Sequence, residues 1–255
     1  MDGAVEKLHK LTERDLEDAI KIPGRCIELL NSPDSQLERF PLHVLGPFLL
    51  QAVKETRNAG QKIEFHPLGI ARLSFSDSRH STGYHLHLFS HDWPTNNGQI
   101  ETPHTHRFTL LSKILKGRLQ NRIWKITEDP NGEYMSIPVE SNPTTSDLAI
   151  NEARPVSIEL GEVKDVNEGE VYSMGIGECH TTEYEDDVMT LIRKIYINPR
   201  SNITAPRVGD AADVGVDQDH YAYPEELQRL GWARIETYLK SLSSKGKPKI
   251  NSNFK

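Results

Sequence analysis

Two cysteines, Cys26 and Cys179, are all that the 255 residues carry. A disulfide framework is thereby excluded, and a reducing compartment is expected. Long apolar runs are missing as well. No stretch approaches the roughly 18 consecutive apolar residues a membrane-crossing helix needs. Basic charge is in short supply: 30 Lys and Arg stand against 37 Asp and Glu, a net charge of −7. That balance argues against the basic stripe of a nucleic-acid binder, and the cluster at 245–249 is short enough to read as a solvated terminus. The first residues lack the basic-then-apolar order of a secretory signal. The expectation is a cytoplasmic protein with neither nucleic acid nor membrane as partner.

What the chain does have is apolar material for one sizeable core (36% hydrophobic, 26% charged) and many histidines. Of the eleven, His80, His85, His87, His91, His104, His106 and His180 fall between positions 80 and 180. The middle of the chain is therefore expected to hold the chemistry.

Residues 1–60 read as helical. Thr12 and Asp15 have the spacing of a capping box. Ile27, Leu29 and Leu30 suggest a second short helix. Val44, Leu45, Phe48, Leu49 and Val53 form one face of a third, which starts near Pro41 and ends at 58–60. From 61 the apolar period shortens to two, and eight or nine short strands are predicted up to about residue 200. Among them are 84–89, 119–126, 134–139, 155–160, 170–174 and 188–197, with a strong turn at 129–132. Stretches 141–154 and 198–220 read as polar connections. A last helix is predicted over 224–242, opening with Pro224 and two carboxylates at its positive end and burying Leu227, Leu230, Ile235, Tyr238, Leu239 and Leu242. The domain reading is a helical segment at 1–60, a β domain at 61–200, and a connection plus helix at 201–255, all one folded unit. The fold class is an all-β core with helical flanks.

The organising stretch is 102–117. His104 and His106 stand two apart on a predicted strand, so both imidazoles share one face and can ligate one ion. Gly117 ends the stretch in a turn. A third imidazole, His180, follows an acidic-glycine turn, a short apolar strand and a bend at Gly175 and Gly177. A second His-x-His, His85 and His87, lies on strand 84–89, where one of them can face the site as a proton shuttle or simply occupy the outer face. Glu101 can supply a carboxylate or remain a loop acid. Cys179, next to His180, reads as a packed small side chain. Arg107, Arg118 and Arg122 are either anion binders or outer-face residues, and Trp93, Trp124 and Trp232 read as core or lid.

His-x-His with a glycine eleven residues on, then a histidine after Gly-x-Gly, resembles the two motifs of the cupin superfamily. The resemblance covers about 70–198 and implies a double-sheet jelly-roll barrel. Where the usual motif carries a glutamate ligand, this chain has Leu110 and Leu111. An all-histidine centre of His104, His106 and His180 resembles the cysteine dioxygenase-like, thiol dioxygenase branch. That branch implies Fe(II), a small anionic metal-chelating substrate and O2, with a homodimer common in the fold. It also implies an arginine for the substrate carboxylate, for which Arg72 is the match in order. A serine–histidine–tyrosine relay would fall at Thr190, Ile192 and Lys194, with Tyr196 as a displaced tyrosine. The relay histidine is missing. The same donor set suits Zn(II) or another divalent ion, so a non-redox enzyme and a non-catalytic binding protein are the alternative readings.

Overall fold

The computed structural model describes residues 10–32, 34–66, 69–76, 83–93, 103–141, 146–197, 200–208, 211–212 and 225–244. Helices α1 (Glu13–Ala19), α2 (Arg25–Asn31) and α3 (Leu42–Asn58) come first. Thirteen strands follow among the described residues: β1 Glu64–His66, β2 Ile70–Ser74, β3 Tyr84–Phe89, β4 Phe108–Lys116, β5 Arg118–Glu128, β6 Tyr134–Ser141, β7 Ser146–Leu148, β8 Arg154–Asn167, β9 Val171–Met174, β10 Cys179–Glu183, β11 Val188–Ile197, β12 Arg200–Val208 and β13 Ala211–Ala212. Helix α4 (Glu225–Ser244) closes the described chain. No described helix is long and apolar enough to cross a membrane.

The strands form two antiparallel sheets. The first runs β1-β2-β3-β11-β4-β9, and the second β10-β5-β8-β6-β12-β13 with β7 on β6. The architecture is a β-sandwich flanked by helices. Strand alternation sorts the first sheet's side chains. Ala71, Leu73, Leu86, Leu88, Leu115, Met189 and Leu191 face outward and join Leu45, Phe48, Leu49, Trp232, Ile235, Leu239 and Leu242 of α3 and α4 in the main core. The other face looks toward the second sheet. There Leu110, Met174 and Ile192 pack with Ile123, and Phe89, Ile114 and Val188 pack with Leu119 and Val166. Burying one large aliphatic side chain contributes about 1.5–3 kcal/mol, so the helical flanks are part of the fold.

Several local expectations are met. Thr12 and Asp15 make the capping box. Pro41 is the N-cap of α3 and sits one residue outside it. Gly117 makes the β4–β5 turn at φ +83°, where an added Cβ would stand 2.8 Å from the Asp187 carbonyl. Other expectations change. The stretch 198–220, read as connection, contains β12, which pairs with β6 from Arg200 to Pro206. Its polar residues and its Pro206 mask the strand pattern, and the pairing is decided by the long-range partner. The β domain thus extends past residue 200. Strand β8 is fourteen residues long, because β5 pairs with it along most of its length. Leu230 is 38% exposed; Gly231 and Trp232 occupy the buried face of α4 instead.

Candidate metal centre

His104, His106 and His180 come together from three chain positions. Their ligand nitrogens all lie within 4.8 Å of one another. The backbone accounts for this convergence. His104 and His180 exchange both main-chain hydrogen bonds, at 3.0 and 2.9 Å. On its other side the same segment is bonded to β12, Thr105 N to Asn202 O and Thr204 N to Pro103 O, both at 2.8 Å. Residues 103–105 therefore join β10 to β12 and link the two ends of that run of the second sheet. His106 follows in the irregular residues before β4, outside the strand expected to carry it, and its carbonyl accepts from Gly177 N at 3.3 Å. That bond ties the glycine bend before His180 to the His-x-His segment.

The rings lie close: centroids are 4.5 Å apart for His104 and His180, 5.2 Å for His104 and His106, and 5.0 Å for His106 and His180. Nε2 of His106 and Nε2 of His180 are 3.0 Å apart. Two nitrogens each about 2.1 Å from one ion, at roughly a right angle, stand about this far apart. Burial, with His104 and Lys194 adding like charge, pushes His106 down to about 3. Burial and the two neighbouring imidazoles hold His180 well below the usual histidine range. Both rings are therefore neutral near pH 7, the form that ligates metal. No carboxylate joins the group among the described residues. Glu178 turns away: its carboxylate accepts from Gly175 N at 3.1 Å and faces Lys164.

Sequence reasoning missed the support behind His180. Its Nδ1 lies 3.3 Å from Thr182 Oγ1, and that hydroxyl donates to Asn121 Oδ1 at 2.9 Å. A hydroxyl has one proton to give. With that proton on Asn121, Thr182 accepts from His180 Nδ1–H and leaves the Nε2 lone pair for an ion. Thr182 stands two residues from His180 on one strand face, a visible spacing, but its pairing with Asn121 is a cross-strand contact. Outer hydrogen-bond partners of this kind are worth about 10–100-fold in metal affinity. Thr182→Val should therefore weaken Co²⁺ or Zn²⁺ binding by about 10-fold in calorimetric titration, whereas Thr182→Ser should not. Equal affinity in the valine variant would remove Thr182 from the site.

The remaining sequence-predicted residues separate. Strand β3 carries both His85 and His87 on the inward face, where His87 pairs in register with Arg72 and Thr190. His85 is fully buried, with Nδ1 2.9 Å from Ser74 Oγ. Arg72 is held by Glu64 through Nε at 3.0 Å and through Nη2. The strand positions of Arg72 and His87 are level with Thr190, four residues along β11 from Lys194. Glu101 and the Tyr196 side chain lie outside the described residues. Arg118 and Arg122 pair with Asp165 and Glu183. Cys179 is buried, which pushes its thiol up to about 12. Trp93 and Trp232 are core residues, and Trp124 donates to Thr181 Oγ1.

Lys194 entered the sequence reading only as a position where the relay would fall; its burial was not foreseen. It is 5% exposed and faces inward beside Leu110. Burial, with Arg72 and Arg107 nearby, pushes it down to about 7. Between that value and the unfolded value near 10.4 the unfolded chain holds a proton that the folded chain lacks, so this group's contribution to stability rises with pH there. Lys194→Met should accordingly be more stable than the parent at pH 7. The margin should shrink by about 2–3 kcal/mol by pH 9, read from urea unfolding midpoints. A pH-independent margin would show that the folded protein does not depress this group.

A scan against protein-family models finds no match, and a search of curated proteins finds none either. Among solved structures, the X-ray structure of E. coli ycfD is similar with a TM-score of 0.26 and 11% identity, covering 80% of this chain and 47% of that one. The chain thus spans about half the length of that structure, and a likeness this distant carries no argument about function.

Proposed function

We propose that this chain is a metal-dependent enzyme of the cupin type, its two sheets forming a jelly-roll barrel, and that it is a non-haem Fe(II) dioxygenase resembling the thiol dioxygenases. The observation that supports this best is the group of three imidazoles, those of His106 and His180 neutral, which no carboxylate joins among the described residues. His104, His106 and His180 would hold a divalent ion and leave its 2+ charge uncompensated, which favours an anionic donor from the substrate. Iron(II), when bound, supplies the chemistry of O2. The protein's part is to orient and to exclude water. Thr182 and Asn121 hold the His180 ring. Phe108 stacks on His106 with centroids 5.1 Å apart. Leu110, Met174 and Ile192 make the wall beyond apolar, which strengthens electrostatic contacts made there.

Elemental analysis of protein purified without oxygen, then O2 uptake by Fe²⁺-loaded protein with a panel of small thiols and β-dicarbonyl acids, tests this reading. About one iron per chain and substrate-dependent O2 consumption are expected. Tightly held zinc with no O2 uptake across the panel would overturn the dioxygenase assignment in favour of a non-redox metal enzyme.

A further inference from the structure

The helical flank holds a carboxylate that is only half satisfied. Glu55 lies in the last turn of α3. Its Oε1 accepts from two neutral donors, Gly24 N at 3.2 Å and Gln51 Nε2 at 2.9 Å. Its Oε2 is buried with no hydrogen-bond partner among the described residues. A buried acceptor left unpaired is costly, and more so when it carries charge. Glu55 also lines a cavity of about 310 Å³, a volume at which small-molecule sites begin. Thr56 and Ala59, at the C-terminal end of α3, form one side of it. A helix C-terminus carries partial negative charge, so this end favours a cation. The last carbonyls of α3 are already closed by the N–H groups of Ala59, Gly60 and Gln61, which leaves Glu55 Oε2 as the open acceptor. Ile27 and Phe75 give the cavity its apolar wall. Burial and the Glu55 charge push the neighbouring Cys26 thiol up to about 12, so that thiol stays protonated.

We propose that this cavity is a second ligand site, in which Glu55 receives the N–H donors of a small organic cation. The ligand class is an ammonium or guanidinium head on a short apolar tail. The head meets the carboxylate through charge-assisted hydrogen bonds, and the tail lies against Ile27 and Phe75. The terminal torsion of a glutamate is broad, so the carboxylate can turn its open oxygen to the cavity. The site stands on the helix-covered side of the first sheet, where Phe75 belongs to the main core. It does not depend on the three histidines or on what they bind.

The test titrates n-butylammonium chloride, n-butylguanidinium chloride and neutral n-butanol into the full chain, followed by two-dimensional amide NMR. The parent is compared with Glu55→Gln and Glu28→Gln. At least one cation should bind the parent about 10-fold more tightly than the alcohol, a difference of about 1.4 kcal/mol. The amides of Gly24 and Ala59 should shift most. The preference should vanish in Glu55→Gln, which keeps an acceptor for Gly24 N. It should persist in Glu28→Gln, since that acid pairs with Arg25 on α2 and does not line the cavity. If Glu55→Gln fails to fold, the parent titrations still decide, because both the preference and the place of the shifts are read there. Equal binding of cation and alcohol, no binding by either cation, or shifts that fall away from Gly24 and Ala59 overturns the proposal. So does a preference that survives Glu55→Gln.

Discussion

His180→Ala should abolish tight metal binding while leaving the protein folded. His180 is a direct donor, so its removal should exceed the roughly 10–100-fold loss typical of outer hydrogen-bond partners. Bound metal after desalting should fall from about one equivalent to a small fraction of that. The fold should survive because His180 joins His104 through main-chain bonds at 3.0 and 2.9 Å that need no imidazole. Metal at about 100 times its dissociation constant should stabilise the parent by about 2.7 kcal/mol and the variant hardly at all. Glu178→Gln is the companion control. Its carboxylate accepts from Gly175 N in the glycine bend, so that variant should keep its metal. Retention of a full equivalent by His180→Ala would remove the three-histidine centre and the functional reading with it.

Glu38→Ala should cost about 3–5 kcal/mol, the range for breaking a buried ion pair by removing one partner. Glu38 sits in a short 3-10 turn (Leu37–Arg39) between α2 and α3 and is 8% exposed. Its carboxylate receives Arg193 Nη1 at 3.1 Å and the Tyr84 hydroxyl. Tyr84 in turn accepts from Leu37 N at 2.7 Å. Tyr84 and Arg193 stand opposite each other on β3 and β11, so this one acid fastens the helical segment to the outer face of the first sheet. Burial and the Glu38 charge both push the Tyr84 hydroxyl up, which keeps it a donor. Glu38→Gln keeps a hydrogen-bond acceptor and should lose less. The comparison is made on urea midpoints at constant slope. A loss under about 1 kcal/mol for Glu38→Ala would mean that apolar packing alone seats the helices.

Both predictions concern places where sequence and structure contributed differently. His104 and His106 were legible from their spacing, although the strand expected to carry them begins only at Phe108: His104 makes an isolated bridge to His180, and His106 lies in the irregular residues before β4. His180 was legible through its approach, with Gly175 and Gly177 marking a bend. Glu38 was not legible: its neighbours in sequence are Leu37 and Arg39, while its partners lie 46 and 155 residues away. The polar β12 also escaped, since its pattern resembles a connection until β6 and the segment 103–105 are placed beside it.

Local order alone settled the helix-then-strand division, the capping box at Thr12 and the turn at Gly117. Each depends on backbone preferences or side-chain period within a few residues. Tertiary structure decided what those faces look at. Strand alternation puts His85 and His87 together on β3, and Thr190 and Lys194 together on β11; the pairing of these strands makes them one face of the first sheet. Only the stacking of the two sheets turned that face inward, and only the helices covering the opposite face gave the first sheet its other buried side. The support of His180 by Thr182 and Asn121, the commitment of Arg72 to Glu64, and the burial of Lys194 over Phe108 all arise across strands. Such contacts are set by register and packing between residues far apart in the chain, and no local pattern encodes them.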